Sequence, residues 1–371
     1  MIKMEDKLKI TISGNIFGTS GYASHVRGIA NSLNEICDVK LNTPLFANWE
    51  HNVNDKELLM IQKEDSYDRI NIIVDLPFNW NNHARYKTNI AYLIWEGDRI
   101  PKSFEDNIIN PKIKYVFVPS QHVKDAILKN FKQYGKVSIE QINNKVKIIP
   151  HGFDPNIFNP TDKKNHMFTF FANKGFRNEL DRGGIQYLLK AFIEEFNKGE
   201  ARLVIKLNSA YMMSPQELDI IIRKYISQSN KDSTKLPEIM IIPDNIPVQK
   251  LAELYNEASV FVSPSEAEAF SMPCLESMAC GVPVITTNYG GQLDFVNESN
   301  GWLINYKLHE IKHEIMYEGV SWARPSIEHL KQLMRHCLNN PEEVKQKGLK
   351  ALEDSKNWTW NLSAKKIMGV L

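Results

Sequence analysis

Short apolar runs rich in β-branched residues alternate with amphipathic helical patterns along almost the whole chain. Before residue 151 the runs predict strands at 9–13, 70–75, 89–95, 115–119 and 145–150. Further along they predict strands at 167–172, 202–207, 238–242, 260–263 and 282–286. Helical stripes lie between the runs, for example Ile29, Leu33 and Ile36. This alternation is typical of an α/β protein whose mainly parallel sheets are covered by helices on both faces.

The run 151–161 interrupts this alternation with one glycine and two prolines, and we interpret it as a linker. A chain of 371 residues is long enough for two domains. We therefore expect a first domain at 1–158, completed by a C-terminal helix at 356–371, and a second at 159–355. Open parallel sheets bind ligands beyond the carboxyl ends of their strands. Two such sheets are expected to face each other across a cleft.

Composition excludes several classes of protein. The 45 basic and 44 acidic residues give a net charge of +1, which is not the footprint of a dedicated nucleic-acid binder. The four cysteines are scattered, which favours a reducing compartment. No apolar run approaches the roughly 18–20 residues that cross a bilayer. We expect a cytoplasmic protein. Lys124, Lys129 and Lys132 lie opposite an apolar stripe, either as a solvated face or as a peripheral membrane contact.

The most informative segment begins at Glu268, just after a predicted strand, and continues to Gly281. Ser271 is placed as a helix N-cap, Pro273 falls in the first turn, and Gly281 suits a left-handed C-terminal cap. A helix start offers N–H groups to phosphates and sugar hydroxyls, and Glu276 is a natural acceptor for two neighbouring hydroxyls. Alternatively, both glutamates merely flank a helix start and are solvated.

This segment resembles the E-x7-E motif of the GT4 family of retaining glycosyltransferases, which have the two-domain GT-B fold. The resemblance extends to Val116–Ser120, to Ile148–Phe158 and to residues 251–283. It implies two Rossmann-like domains and transfer of a sugar from a nucleotide diphosphate donor. Glu268 would lie against the donor sugar and Glu276 would hold the ribose, while the helix start at Phe270, Ser271 and Met272 would bind the donor.

The family has an arginine and, five residues later, a lysine that bind the diphosphate. Here Arg177 and Arg182 have that spacing, between a predicted strand and a helix. Cations are needed there because negative charge builds on the leaving diphosphate. The change from lysine to arginine at Arg182 keeps the charge and alters its geometry. Without the resemblance, two exposed loop arginines would be the simpler interpretation.

Two features of the first domain complete the predicted site. Gly18 and Gly21 follow the first strand, where glycines allow the backbone to approach a phosphate or sugar, although tight turns need glycine in any case. Where many family members have a histidine, this chain has Glu96. Glu96 could contact the sugar or orient the acceptor hydroxyl, or it could form a structural ion pair with Arg99.

The resemblance implies a retaining, metal-independent reaction without a cofactor, in which the nucleotide sugar is the donor substrate. No acidic D-x-D-like pair adjoins a predicted strand end. Two other classes stay open: a sugar-nucleotide epimerase on the same fold, and an inactive GT-B-like partner subunit. The sequence identifies neither the base, the sugar nor the acceptor, which could be a glycan, a lipid-linked glycan, a protein or a modified nucleic acid.

Overall fold

The computed structural model of the chain describes residues 7–44, 53–162, 166–312 and 315–371. The chain forms two compact units. The N-terminal unit comprises Met1–Phe153, Glu310–Ser321 and Trp358–Leu371, and the C-terminal unit comprises Asp154–His309 and Trp322–Asn357. No sequence pattern had indicated that residues 310–321 belong with the N-terminal unit.

Six parallel strands form the sheet of the N-terminal unit within its described residues. Their bounds are β1 Lys9–Gly14, β2 Asp38–Asn42, β3 Ile70–Val74, β4 Thr88–Tyr92, β5 Ile113–Val118 and β6 Val146–Ile148. The order across the sheet is β2-β1-β3-β4-β5-β6. Its helices are α1 Gly21–Ile36, α2 Asp55–Gln62, α3 Trp80–His83, α4 Glu105–Ile109, α5 Gln121–Tyr134, α6 Ile139–Lys145 and the last helix of the chain, Trp360–Val370.

The described part of the C-terminal unit has a second sheet of six parallel strands. They are β7 Thr169–Phe176, β8 Arg202–Met212, β9 Glu238–Ile242, β10 Val260–Ser263, β11 Val284–Thr287 and β12 Gly301–Ile304. The order β12-β11-β10-β7-β8-β9 is the Rossmann order. The helices are α7 Ile185–Glu195, α8 Pro215–Ser229, α9 Val248–Glu257, α10 Met272–Ala279, α11 Ile327–Asn339 and α12 Pro341–Ser355. Two further strands, β13 Tyr306–Glu310 and β14 Ser321–Pro325, form a separate pair.

Both sheets are buried by the apolar stripes of their helices. In α7 the side chains of Ile185, Leu188, Leu189 and Phe192 are fully buried, as their helical spacing predicts. The prediction for the first helix was wrong at one position. Ile36, the last residue of α1, is 44% exposed, whereas Ile29 and Leu33 are buried.

The last helix of the chain, named α13 from here on, packs against α1 in the N-terminal unit. The Trp360 ring lies so close to Gly28 that a Cβ atom added at Gly28 would come within 2.3 Å of it. Beside Trp360, His25 and His151 are buried with their Nδ1 atoms 2.7 Å apart. Burial lowers the pKa of His151 to about 3, so the ring is neutral and serves packing.

Candidate active site

The site of the C-terminal unit lies where its strand order reverses. In the Rossmann order this point falls between β7 and β10, which pair directly. Loops that leave two such strands in opposite directions open a crevice at their carboxyl ends, and ligands bind there. Residues 177–184 follow β7 and residues 264–271 follow β10. These two loops hold five of the site residues predicted from the sequence: Arg177, Arg182, Glu268, Phe270 and Ser271.

Glu268 is held between two cations in this crevice. Its Oε1 lies 2.6 Å from Lys174 Nζ, and its Oε2 lies 3.7 Å from Arg182 Nη1. Burial alone would raise the pKa of Glu268, but Lys174 and Arg182 outweigh it and the pKa is lowered. Glu268 is therefore an ionised carboxylate with a fixed orientation, suited to accept hydrogen bonds from hydroxyl groups.

The two arginines lie differently in the loop. Arg182 Nη1 donates to the carbonyl of Ala267 at 2.8 Å, which keeps the guanidinium beside Glu268. Arg177 is 56% exposed and its Nε lies 3.7 Å from Asp181. The Asp181 carboxylate also accepts from the backbone N–H groups of Arg177 and Gly183, at 3.0 and 2.9 Å. Asp181 thus bridges the loop, and Arg177 pairs with it whereas Arg182 lies beside Glu268.

The start of α10 differs from its prediction. Ser271 is the N-cap residue but has φ of 70°, and its side chain accepts no capping bond from the helix, all of which is described. Its hydroxyl instead donates to Cys274 Sγ at 3.2 Å and lies 3.4 Å from Lys174 Nζ. A serine in the left-handed region is strained, and such strain is concentrated at functional sites. Pro273 and Gly281 lie as predicted, Gly281 with φ of 73°.

Phe270 and Met272 flank this strained residue. The Phe270 side chain is buried, and its ring packs on the Phe295 ring with the ring centres 4.9 Å apart. Met272 opens α10 and is partly exposed. The first turn of a helix presents N–H groups that make no bond within the helix.

Glu276 lies on α10, one turn beyond the crevice. Its Oε2 accepts a hydrogen bond from the Tyr255 hydroxyl at 2.9 Å, and that hydroxyl accepts from Asn173 at 3.3 Å. Burial raises the pKa of Glu276 to about 7, although Tyr255 and the charge of Lys174 act in the opposite direction. Near neutral pH the side chain is therefore divided between its two protonation states.

The other predicted residues belong to the N-terminal unit. Gly18 has φ of 79° in the turn after β1, and Gly21 is the first residue of α1, whose cap is Ser20. The Glu96 carboxylate accepts from the Tyr317 hydroxyl at 3.1 Å, and the Tyr317 ring stacks on Trp95. Arg99 donates to Gln133. That Gly18, Gly21 and Glu96 take part in donor or acceptor binding stays a prediction.

Comparison with known proteins agrees with this architecture. The family described as "Glycosyl transferases group 1" matches residues 227–351. A probable sucrose-phosphate synthase of Thermosipho melanesiensis is 26% identical over 223 residues, 54% of this chain and 50% of that protein. A D-inositol 3-phosphate glycosyltransferase of Nocardiopsis dassonvillei is 26% identical over 162 residues, 40% of this chain and 36% of that protein. The matches thus span half or less of these curated relatives.

Solved structures show the same fold over nearly the full chain. Sucrose-phosphate synthase from Thermosynechococcus elongatus has a TM-score of 0.66 at 16% identity and covers 98% of both chains. The Anabaena protein HepE in complex with UDP and glucose has a TM-score of 0.65 at 15% identity, covering 98% of this chain and 99% of that one. The C-terminal part of the chain is similar to the group 1 glycosyltransferases, and the chain as a whole has the fold of the solved glycosyltransferases. The expectation of a GT-B fold is confirmed, and the similarity to named glycosyltransferases supports the expectation of a transferase enzyme.

The sequence reasoning missed Lys174. Lys174 lies on β7 and is 9% exposed, with its ammonium on Glu268. Lysine is almost never buried unless it is paired, so a lysine in the apolar run Thr169–Phe176 was the available signal. The predicted strand ended at Ala172 and therefore excluded it. Tyr255, whose hydroxyl bonds to Glu276, occupies an ordinary helical position of α9, and no feature of the sequence marked it as a site residue.

Two structural observations bear on the remaining expectations. Among the described residues, no three His, Cys, Asp or Glu side chains are grouped as a metal ion would require. Independence from a metal stays a prediction. In the same residues, no helix has the length and apolar character needed to span a membrane.

Proposed function

We propose that this chain transfers a sugar from a nucleoside diphosphate donor to a hydroxyl group of an acceptor, with retention at the anomeric carbon. The observation that carries the proposal is the crevice between β7 and β10, where Glu268 lies 2.6 Å from Lys174 and 3.7 Å from Arg182. A carboxylate that can accept from sugar hydroxyls thus lies beside a cation that can bind a phosphate, at the carboxyl ends of strands where Rossmann folds bind their ligands.

Each group has one task in the proposed reaction. Arg182, Arg177 and the first turn of α10 bind the diphosphate, and Arg182 neutralises the charge that develops on the leaving oxygen. Glu268 accepts from hydroxyls of the donor sugar, and Glu276 accepts from the ribose diol. Lys174 keeps Glu268 ionised and aimed into the crevice, which makes it a positioning residue.

In the proposed step, the acceptor oxygen bonds to the anomeric carbon on the face from which the diphosphate leaves. The bond from that carbon to the phosphate oxygen breaks, and the nucleoside diphosphate takes the acceptor proton. In this front-face step Glu268 orients the donor sugar and is not the nucleophile.

A hydrolysis screen tests the proposal directly. The protein is incubated with a panel of UDP-, GDP- and ADP-sugars without acceptor, and release of nucleoside diphosphate is measured. UDP-glucose comes first, because HepE was solved in complex with it. We expect slow release from one donor, lost in Glu268→Ala. If no nucleotide sugar is bound or cleaved, the proposal is wrong. Conversion of the sugar into an epimer would identify the alternative enzyme class.

We expect Glu276→Ala to weaken binding of the nucleoside diphosphate by about 1–3 kcal/mol, because two ribose hydroxyls lose a charged acceptor. Calorimetric titration of wild type and variant measures the difference. Equal affinities would show that the ribose lies elsewhere.

The pH dependence of the same titration is a second readout. Below the pKa of about 7, Glu276 is protonated, and the diol favours the ionised form. Affinity should therefore rise as pH increases through 7, with release of a proton. The phosphate groups of the nucleoside diphosphate also change protonation near this pH. In Glu276→Gln only they contribute to the pH dependence of affinity, so this variant is the control. Because folding raises the pKa of Glu276, its protonated form also contributes to the stability of the free protein. This contribution is complete below pH 4.5, the usual carboxyl pKa, and is lost as pH rises towards 7.

We expect turnover to survive chelation by EDTA. The proposed diphosphate site consists of Arg177, Arg182 and helix N–H groups, which supply the positive charge that a metal ion would otherwise provide. The assay compares initial rates before and after dialysis against EDTA. Loss of activity that magnesium or manganese restores would contradict the prediction.

A further inference from the structure

A segment from late in the chain packs on the loop that follows β4. The N-terminal unit includes Glu310–Ser321, whereas the residues on both sides of this range belong to the C-terminal unit. Within the segment, residues 317–321 contact three successive residues of the loop, Glu96, Gly97 and Asp98. The proposed transfer has so far given this segment no task.

Two of the contacts fix where the segment lies. A Cβ atom added at Gly97 would come within 2.2 Å of Val320 Cγ1, so a larger residue at position 97 would displace Val320. The Val320 side chain is buried. The backbone N–H of Ser321 donates to Asp98 Oδ1 at 2.8 Å. The segment is therefore packed tightly on the loop.

The third contact acts on the Glu96 carboxylate. The Tyr317 hydroxyl donates to Glu96 Oε2 at 3.1 Å, and the Tyr317 ring stacks on the buried Trp95 ring, with ring centres 4.7 Å apart and an interplanar angle of 19°. The Glu96 carbonyl oxygen lies 2.9 Å from His122 Nε2 on α5. Both the backbone and the side chain of Glu96 are thus held. A carboxylate has about four acceptor positions, so the bond from Tyr317 does not exclude a bond from a ligand hydroxyl.

Glu96 also lies at the end of its sheet where ligands bind. Open parallel sheets bind ligands beyond the carboxyl ends of their strands, at the point where the strand order reverses, which here falls between β1 and β3. Strand β4 pairs with β3, and its loop is joined to the start of α1, because the Tyr22 hydroxyl donates to the carbonyl of Ile94 at 3.2 Å. Glu96 is partly exposed, so a ligand at this end of the sheet can reach it.

We propose that Tyr317 is a positioning residue, which holds the Glu96 carboxylate so that it accepts a hydrogen bond from the attacking hydroxyl, or from water when no acceptor is present. This inference rests on the proposed transfer. With water, the oxygen bonds to the anomeric carbon, the bond from that carbon to the phosphate oxygen breaks, and one water proton passes to the nucleoside diphosphate. Glu96 takes no proton in this step and only orients the attacking oxygen.

The test measures acceptor-free hydrolysis of the donor found by the screen, in which water is the attacking group. Tyr317→Phe keeps the ring that stacks on Trp95 and removes only the hydroxyl. We expect kcat to fall roughly tenfold, because the attacking oxygen is less well oriented. Calorimetric affinity for the nucleoside diphosphate and the Tm should stay at their wild-type values. Tyr67→Phe, at an exposed tyrosine of the same unit, is the matched control and should change none of the three.

A double variant shows whether Tyr317 acts through Glu96. Glu96→Ala should lower kcat at least as much as Tyr317→Phe does. Adding Tyr317→Phe to Glu96→Ala should lower it little further, because the group that Tyr317 positions is already absent. If Tyr317→Phe lowers kcat by the same factor with and without the Glu96 carboxylate, Tyr317 acts independently of Glu96 and the proposal is overturned.

The packing of the segment supplies a second perturbation that can be reversed. Gly97→Ala should displace Val320, and Tyr317 with it, and should lower kcat as Tyr317→Phe does. Val320→Ala removes the methyl group that the new Cβ atom would meet, so Gly97→Ala combined with Val320→Ala should recover much of the lost rate. An unchanged kcat in Tyr317→Phe, with hydrolysis measurable in the wild type, would overturn this inference and leave the proposed transfer standing. If the wild type releases no nucleoside diphosphate from any donor, the proposed transfer is wrong and this inference is overturned with it.

Discussion

Replacing Arg182 with alanine should lower kcat/KM by about 10²-fold or more, with most of the loss in kcat. Arg182 is fixed by its hydrogen bond to the carbonyl of Ala267 and lies 3.7 Å from Glu268. Its charge is therefore already oriented when the diphosphate begins to leave. An interaction that strengthens as charge develops lowers the barrier more than it tightens ground-state binding.

The companion variants separate charge from geometry. Arg182→Lys should be much milder than Arg182→Ala, because the family places lysine at this spacing and the positive charge is kept. Arg177→Ala should also lower kcat/KM, but less than Arg182→Ala, since Arg177 is 56% exposed and its guanidinium lies on the Asp181 side of the loop. Water screens an exposed charge more strongly than a half-buried one.

Steady-state kinetics with the donor found by the hydrolysis screen measure these effects. Arg223→Ala is the matched control, because Arg223 is an exposed arginine of the same unit that pairs with Asp219 on α8. It should leave both kcat and KM unchanged. If Arg182→Ala retains the wild-type kcat, the diphosphate lies elsewhere and the assignment of the loop is wrong.

Buried central strands were predictable from the sequence, whereas two of the edge strands were not. Strand β10 has the predicted bounds, because a strand covered on both faces is a continuous apolar run. At the edge of the first sheet, β2 alternates charged or polar with apolar residues in only five positions, and at the edge of the second, β12 has four residues. Segments this short and mixed are not distinguishable from loops by periodicity.

The sequence predicted which loops form the candidate site, but not which of their side chains contact one another. Glu268 and Arg182 are 86 positions apart along the chain, and only the Rossmann strand order brings their loops together. The left-handed backbone at Ser271 depends on the packing around Lys174 and Cys274, which no local pattern specifies. A serine before a helix is usually a capping residue, so the rule failed where the site imposes strain.

Lys174→Met should destabilise the protein by about 3 kcal/mol at neutral pH, which is a large fraction of the stability of an ordinary domain. The Lys174 and Glu268 side chains are 8% and 13% exposed and lie 2.6 Å apart. Methionine keeps most of the apolar stem but removes the ammonium, and Glu268 is left as a buried carboxylate with Arg182 at 3.7 Å. An unpaired buried carboxylate is less favourable than the buried ion pair, so the free energy of unfolding decreases.

The pH dependence of this loss identifies its cause. In the wild type the pKa of Glu268 is lowered, so the pair stabilises the protein above the usual carboxyl pKa and this contribution is lost as pH falls through the lowered value. In the variant Glu268 can escape the penalty by taking up a proton. The destabilisation measured by urea unfolding should therefore shrink as pH falls towards 4.5, the ordinary value for glutamate.

A double variant separates stability from catalysis. Lys174→Met combined with Glu268→Gln leaves no buried charge at this pair and should recover most of the lost free energy of unfolding, while activity stays low because donor hydroxyls have lost the carboxylate. Lys350→Met is the control for removal of a lysine, since its exposed pair with Asp354 should contribute little to the free energy of unfolding. A loss in Lys174→Met that is equal at both pH values and persists in the double variant would assign the effect to packing, and Lys174 would then have no electrostatic role at Glu268.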